Sequence, residues 1–297
     1  MISTALMAET IEPGLTEVLQ NAFDEVPEQH LQFFKVKDSE NANEDYITIA
    51  MFGSMPEKYE GQPVQLDELR EAYKTTLTAK TFSLGVRITR EAVEDAKYGI
   101  LNGISAGLGV SGRDAAENSG ANIWNRGFND SYVGGDSEPL FGDNSARTHP
   151  LKGGGTWRNT LSSAADLAFG SLDQALIDIR STVNDRGLLI RLTPELLVVP
   201  PELETTALQL VGSDLQPFTQ ENQVNVFRKR LKVAVWDYLT DTDGWGIMCR
   251  EHKMIFQNRV PLGTEMEVFR GDMIYTARRR FVHGWKDPRG VFGVEGA

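Results

Sequence analysis

An α+β fold is predicted by the order of patterns along this sequence, and three observations carry the prediction. One long helical pattern rich in small residues occupies Thr89 to Phe128. Strand-like alternation precedes it. After it, helical and strand patterns are interspersed without the regular βαβ series that a parallel sheet requires.

Residues 1–35 form a polar arm in which Ile11, Leu15, Val18, Leu19 and Phe23 suit one amphipathic helix ending before Pro27. Tyr46 to Phe52 alternates as a strand, and so does Phe82 to Ile88, with Pro56, Gly61 and Pro63 punctuating the polar stretch between them. These two runs are expected to pair as a long two-stranded excursion. A lone ribbon is marginal in water, so it needs a surface to lie on, and assembly is implied.

The long pattern places Val93, Ala96, Ile100, Ile104, Leu108, Ser111, Ala115, Ser119 and Ile123 at steps of three, four or seven, which defines one helix face. The same stretch holds Gly99, Gly103, Gly107, Gly109, Gly112 and Gly120. An interior glycine costs a helix roughly 1 kcal/mol against alanine, so propensity cannot sustain this one. Something is expected to pack closely along its glycine face, either a sheet or a neighbouring subunit.

Asn129 to Trp157 is a turn-rich loop. A helix is predicted over Thr160–Arg186 with Gly187 as its stop, then a short buried strand at Leu196–Val199 and a helix over Glu202–Val211. KVAVWDYL and Trp245 to Arg250 flank the turn DTDGWG and are expected to pair antiparallel. Met266 to Val282 carries further strand signal before a glycine-rich tail.

At 297 residues one elaborate fold with two or more lobes is expected. The net charge of -12 argues against the positive field that nonspecific nucleic-acid binding needs. The single cysteine, Cys249, rules out an internal disulfide, fits a reducing cytoplasm and suits a small core residue. Met1 to Gln20 lacks the pattern of a secretory signal, and the uncharged run between Lys97 and Arg113 is too short for a bilayer. A soluble protein made in the cytoplasm, with no membrane partner, is the expectation.

Two enzyme motifs lie in the glycine-rich stretch. Gly107, Gly109 and Gly112 match the G-x-G-x-x-G dinucleotide fingerprint, and Gly103, Ser105 and Gly107 match the G-x-S-x-G nucleophile elbow. Both motifs need a strand leading in, and here a helical pattern already runs through them, so small residues on a packed helix explain both. Asp241, Asp243 and Gly244 match part of a calcium loop but lack the distal glutamate, so a turn is the better reading. His30, His149, His252 and His283 are far apart and form no metal pair. No cofactor or metal is expected. Arg278, Arg279 and Arg280 form the one dense basic cluster, for which pairing with carboxylates of another subunit, or a solvated strand end, is preferred over phosphate binding.

The order of arm, hairpin, glycine-rich helix, loop, mixed lobe and returning strands resembles the major capsid protein of tailed bacteriophages, the Hong Kong bacteriophage capsid fold. Local stretches are most similar to the Mu-like major head subunit family. They are Thr89-Arg-Glu with Glu94-Asp95 and Gly99; Glu138-Pro-Leu-Phe141 followed by His149-Pro150; Leu197-Val-Val-Pro200-Pro201; Asn225-Val226; Trp245 before Ile255-Phe-Gln-Asn-Arg259; and Tyr275 through Arg278 leading to Gly284-Trp285.

That resemblance implies an N-terminal arm (1–35), an extended loop overlapping a neighbour (36–84), a peripheral domain (85–159) with a spine helix over 89–128, an axial domain (160–260), and returning peripheral strands with a tail (261–297). It also implies hexamers and pentamers closing into an icosahedral head around double-stranded DNA. The partners would be a separate scaffold, a maturation protease, a portal and a decoration protein, with assembly in the bacterial cytoplasm. Tyr46, Phe52, Phe82, Gly99, Gly103, Gly107, Arg278, Arg279 and Arg280 are the expected assembly determinants. The alternatives are an encapsulin-like compartment and a nucleotide-dependent oxidoreductase using Gly107, Gly109 and Gly112.

Overall fold

The computed structural model describes residues 4–50, 52–91, 98–142, 156–215, 224–270 and 272–297. Its first sheet is dominated by one long hairpin, β8 (Met254–Phe269) and β9 (Asp272–Trp285), flanked by β1 (Lys35–Asp38) beside β8 and β4 (Lys80–Ile88) beside β9. The β8–β9 register shifts on both sides of Val260. Pro261 follows it and has no N–H to give a ladder. Along β9 the burial alternates strictly, with Met273, Tyr275, Ala277, Arg279, Phe281 and His283 facing inward.

Across that inner face lies the spine, α2 (Tyr98–Asn125). The six residues preceding Tyr98, where part of the expected spine falls, are outside the described residues. The buried side of α2 runs through Leu101, Ser105, Leu108, Ala116, Gly120 and Trp124. This is about one position later than the expected face: Ile100 is 62% exposed, and Ile104, Ala115, Ser119 and Ile123 are only half-buried. The reason is a second helix. α1 (Thr4–Asp24), the expected amphipathic arm with Pro13 inside it, packs along α2, and Leu15 and Leu19 join Leu101, Leu108, Met273 and Tyr275 in one apolar cluster.

The second sheet has the order β10-β7-β5-β6, from Val291–Val294, Trp245–Cys249, Pro194–Val199 and Lys232–Val235. The expected pairing of KVAV with Trp245–Cys249 does not occur, because β5 lies between them, parallel to β6 and antiparallel to β7. Leu197, Val198 and Val199 are fully buried, so the most apolar strand takes the position covered on both faces and both edges. α3 (Phe169–Arg180) and α4 (Glu204–Gly212) pack on this sheet through Leu172, Leu176, Ile179, Ala207 and Leu210.

α3 is shorter than the helix expected over Thr160–Arg186. Before it, backbone groups are taken by distant partners: Ala165 donates its N–H to Glu295 O at 3.0 Å, and its own carbonyl accepts from Trp245 Nε1 at 3.0 Å. After it, Val183 bridges Leu189 around a turn in which Gly187 has φ +80°, so Gly187 makes a small hairpin and not a helix stop. A third cluster, with Phe33, Trp124, Phe141, Trp236, Phe256, Phe281 and Trp285, joins the two sheets.

The extended ribbon also pairs differently from expectation. β2 (Asn43–Ala50) pairs antiparallel with β3 (Arg70–Thr78), from Asn43 opposite Thr78 to Ala50 opposite Arg70. Phe82 to Ile88 belongs to β4 and pairs with β9. The alternation of Tyr73, Thr75 and Leu77 inside the stretch taken as polar marks the true partner strand, with Thr75 and Leu77 buried. Among the described residues, no helix is long and apolar enough to cross a membrane.

Candidate functional site

The expected assembly residues fall into three settings. Tyr46 is half-buried on β2 beneath Lys37 Nζ, 5.0 Å from its ring centre, and Phe52 lies just past the strand, 50% exposed. Phe82 is stacked on Phe281 at 4.4 Å within the first sheet, so it serves the core of its own chain. Gly99, Gly103 and Gly107 face open space, with nothing within 4 Å of where a side chain would begin. Within a single chain the close packing expected along the glycine face falls elsewhere. A Cβ on Gly109 would lie 2.4 Å from Leu19 O in α1, and one on Gly120 would lie 3.1 Å from His30.

The arginine cluster is divided by the strand's period of two. Arg278 is exposed and Arg280 half-buried on the outer face. Arg279 points inward, 5% exposed, where Glu28 grips it at 2.5 and 3.2 Å, and the rings of Phe23, Phe256 and Phe281 lie 5.2–5.6 Å from its guanidinium. The inter-subunit pairing expected of this residue is replaced by a bond within the chain. Its signal was present in M-x-Y-x-A-x-R-x-F-x-H, which sets Arg279 in phase with apolar neighbours.

Glu28 is one of several ties that hold the arm. Ser105 Oγ donates to Leu15 O at 2.5 Å, and Thr16 and Thr264 bond through their hydroxyls at 2.8 Å. His30 is fully buried. Its backbone N–H and Nδ1 both meet the Glu117 carboxylate at 3.1–3.3 Å, and Trp236 Nε1 reaches the same group at 3.4 Å. Burial pushes Glu117 up, but the bonds from His30 and Trp236 hold its carboxyl below the usual range. Sequence reading passed over Glu117 because an acid on a spine helix is ordinarily a solvated one.

Within the two enzyme motifs Ser105 and Gly109 serve this packing, while Gly103 and Gly107 face open space. Ser105 is buried in mid-helix and bonds α1, and the residues leading into both motifs are helical, so neither a nucleophile elbow nor a phosphate-binding turn is formed. Cys249 is buried in β7, and burial pushes its thiol up to about 12, so it carries no thiolate at neutral pH. Asp241 and Asp243 sit in an exposed turn, where a hydrogen bond from the protonated Asp243 carboxyl to the Asp241 carboxylate raises Asp243. Among the described residues, no group of three or more His, Cys, Asp or Glu side chains could hold a metal.

Two histidines make the fold acid-sensitive. Burial, reinforced by His30 and Arg279, pushes His283 well below 6.5, and burial with Lys35 lowers His252 to about 4. Both therefore bind a proton more readily unfolded than folded. Their contribution is complete above pH 6.5 and is lost as pH falls from there towards 4. Urea unfolding of the unassembled chain should lose up to about 1.4 kcal/mol per pH unit for each such histidine. His283→Gln should flatten that slope between pH 6.5 and 4.5, and an unchanged slope would refute the assignment.

Comparison with known proteins places this architecture. Over 112 residues the chain is 32% identical to the major capsid protein of Escherichia phage Mu, an alignment that spans 38% of this chain and 36% of that relative. The procapsid of bacteriophage JBD30 superposes with a TM-score of 0.55 at 14% identity, over 98% of this chain and 75% of the other. The JBD30 capsid gives 0.57 at 16% identity, over 72% and 91%. A virus-like particle from Pyrococcus furiosus gives 0.52 at 11% identity, over 95% and 98%. These likenesses establish the fold. The family model described as phage capsid protein matches residues 72–294, which takes in the spine, the second sheet and every strand of the first sheet except β1, and the chain therefore belongs to the phage capsid protein family.

Proposed function

We propose that the chain is a major capsid subunit, whose hexamers and pentamers close into an icosahedral shell around the double-stranded DNA of a tailed bacteriophage or prophage. The observation that carries this reading is the ribbon β2–β3 and the irregular residues 52–69 at its tip. Phe52, Met55, Tyr59, Val64, Leu66 and Leu69 are each at least half exposed there, Met55 at 94% and Leu66 at 90%. Each such side chain gains roughly 1.5–3 kcal/mol when fully buried, so the segment suits a surface supplied by another copy.

In this reading residues 1–35 are the arm, 36–84 the extended loop, 85–159 the peripheral domain, 160–260 the axial domain and 261–297 the returning strands. The bonding of β10 to β7 supports adding β10 alone to the axial grouping. A separate scaffold, a maturation protease, a portal and a decoration protein are the partners, and assembly takes place in the host cytoplasm. The chain acts as a structural subunit and not as an enzyme. Its net charge of -12 suits a wall that encloses DNA without gripping it.

Negative-stain electron microscopy with mass photometry of the purified chain tests this. Rings of five or six, tubes or closed shells are expected, and a monomer at every concentration, even with the phage's scaffold co-expressed, would overturn the reading. The likeness to the Pyrococcus particle keeps an encapsulin-like compartment as the second reading. Shells isolated from cells should hold DNA in the first case and protein cargo in the second. Gly103 and Gly107, open in the single chain, carry a further prediction. Replacing both with leucine should leave the subunit folded and soluble, with an unchanged circular dichroism spectrum, while abolishing rings and shells. Normal shells from that variant would remove the glycine face from the assembly surface.

A further inference from the structure

Three cavities of about 400, 420 and 430 Å³ run end to end beside α2. The first and second share Phe82 and Ala115, and the second and third share Ile123, Tyr132, His283 and Trp285. Together they form a furrow that follows the helix from Leu108 to Ile123, roughly 22 Å at 1.5 Å per residue. Its other bank is β4, through residues 80–84, along the first two cavities and β3, through residues 74–77, along the third. β4 is the outer strand of its sheet, paired with β9 on one side and with no strand on the other among the described residues. An unpaired strand edge is a ready template for one more strand, and roughly seven extended residues would span this length.

The charge of the furrow is unlike that of the rest of the chain. Acidic residues outnumber basic ones 42 to 30 overall, yet no carboxylate lines any of the three cavities. Lys74, Lys80, Arg126 and Arg279 do. Arg279 and Lys74 are already paired, with Glu28 and Asp45. Lys80 and Arg126 have no ion-pair partner among the described residues, and Arg126 lies 4.4 Å from the ring centre of Tyr132. Three lining side chains more than nine-tenths buried, Thr75, His283 and Trp285, also leave Oγ1, Nε2 and Nε1 without a hydrogen-bond partner. An unsatisfied buried polar atom costs about 1–3 kcal/mol, which a bound backbone or side chain recovers.

The geometry points to this furrow as the docking site for an extended acidic segment of a separate protein, added as a strand to the free edge of β4 with its carboxylates on Lys80 and Arg126. Charge complementarity selects the acidic partner. A second copy of this chain fits less well. Its exposed acidic stretch is broken as a strand by Pro56, Gly61 and Pro63. Asp67 in that stretch is already held by Arg186 at 3.0 Å and by the Gly53 N–H at 3.4 Å. The docking stands whether or not the chain builds shells.

The test uses the full chain and a fluorescein-labelled peptide alternating glutamate and threonine. Two controls accompany it: the lysine–threonine counterpart, and the acidic peptide with a proline at its centre. Fluorescence anisotropy at low salt should show binding of the acidic peptide alone, and hydrogen exchange should show new protection at Lys80–Ile88. Lys80→Gln with Arg126→Gln should weaken binding at least tenfold without altering the circular dichroism spectrum. Equal binding of all three peptides, no binding, or an unaffected double variant would overturn the proposal. Tighter binding of a peptide with the sequence of residues 64–69 would also overturn it, by naming a second copy as the occupant. Microscopy of the same samples reads assembly separately, so shells lacking peptide binding would refute the furrow and leave the capsid reading in place.

Discussion

Replacing Arg289 by methionine is expected to destabilise the unassembled subunit by about 3–5 kcal/mol, the largest effect of any single substitution considered. Arg289 is 7% exposed and serves two carboxylates that are more buried still, Asp185 at 4% and Asp287 at 2%. Its Nη2 bonds Asp185 Oδ1, its Nη1 lies 3.7 Å from Asp287 Oδ2, and its backbone N–H donates to Asp287 Oδ1 at 3.0 Å. The Trp157 ring centre is 5.0 Å from the guanidinium, and Lys253 Nζ reaches Asp287 at 2.9 Å. Burial opposes the charge on Asp287, and Arg289 followed by Lys253 overcomes that and holds its carboxyl below the usual range.

Methionine fills a similar volume, so the loss comes from two buried carboxylates deprived of the guanidinium charge and not from a cavity. Adding Asp185→Asn and Asp287→Asn to the variant should therefore recover much of the stability. Urea unfolding followed by tryptophan fluorescence and by circular dichroism measures both. A loss below about 1 kcal/mol would place the cluster among surface-type ion pairs and refute the argument.

The second large effect reverses the sign that helix propensity predicts. Gly107→Ala and Gly109→Ala are the same change two residues apart on one helix, and by propensity each should stabilise by roughly 1 kcal/mol. Gly107 faces open space, so its variant should realise most of that gain. Gly109 does not. A Cβ there would sit 2.4 Å from Leu19 O and 3.2 Å from the Phe23 backbone nitrogen, and backbone atoms cannot swing aside as a side-chain tip can. The helices must separate, at a cost of about 1–3 kcal/mol for overpacking. The arm should loosen, visible as faster amide exchange over residues 11–24 in the Gly109 variant and unchanged exchange in the Gly107 variant. Similar behaviour of the two variants would mean that α1 does not rest on Gly109 in solution.

These two glycines show where sequence reading stopped. Composition announced that a helix so rich in glycine needs close packing, and that is correct at Gly109 and Gly120. It could not say which glycines are the packed ones, because the stripe through Ile100, Ile104 and Ser111 is equally regular. The choice was made by α1, whose contribution depends on a contact almost a hundred residues distant in sequence. The arginine run failed for the opposite reason. Its three members were read as one charge cluster, although strand period separates Arg279 from its neighbours and makes it an internal anchor for Glu28. His30, Glu117 and Trp236 carried no local signal, since each is ordinary in its own segment and informative only in company.

What the sequence determined by itself is the class of fold and its order of parts: a helical arm, an exposed ribbon, a glycine-rich spine, a mixed lobe and returning strands. These follow from local periodicity, turn residues and the length of apolar runs, all of which act within a few residues. Only the tertiary structure decided which strands meet. Two hairpins that adjacency suggested are absent: β5 enters between β6 and β7, and β3 takes the place at β2 expected of Phe82–Ile88. Strand pairing is chosen by the burial it allows on both faces at once. That quantity exists only when distant segments of the chain have come together.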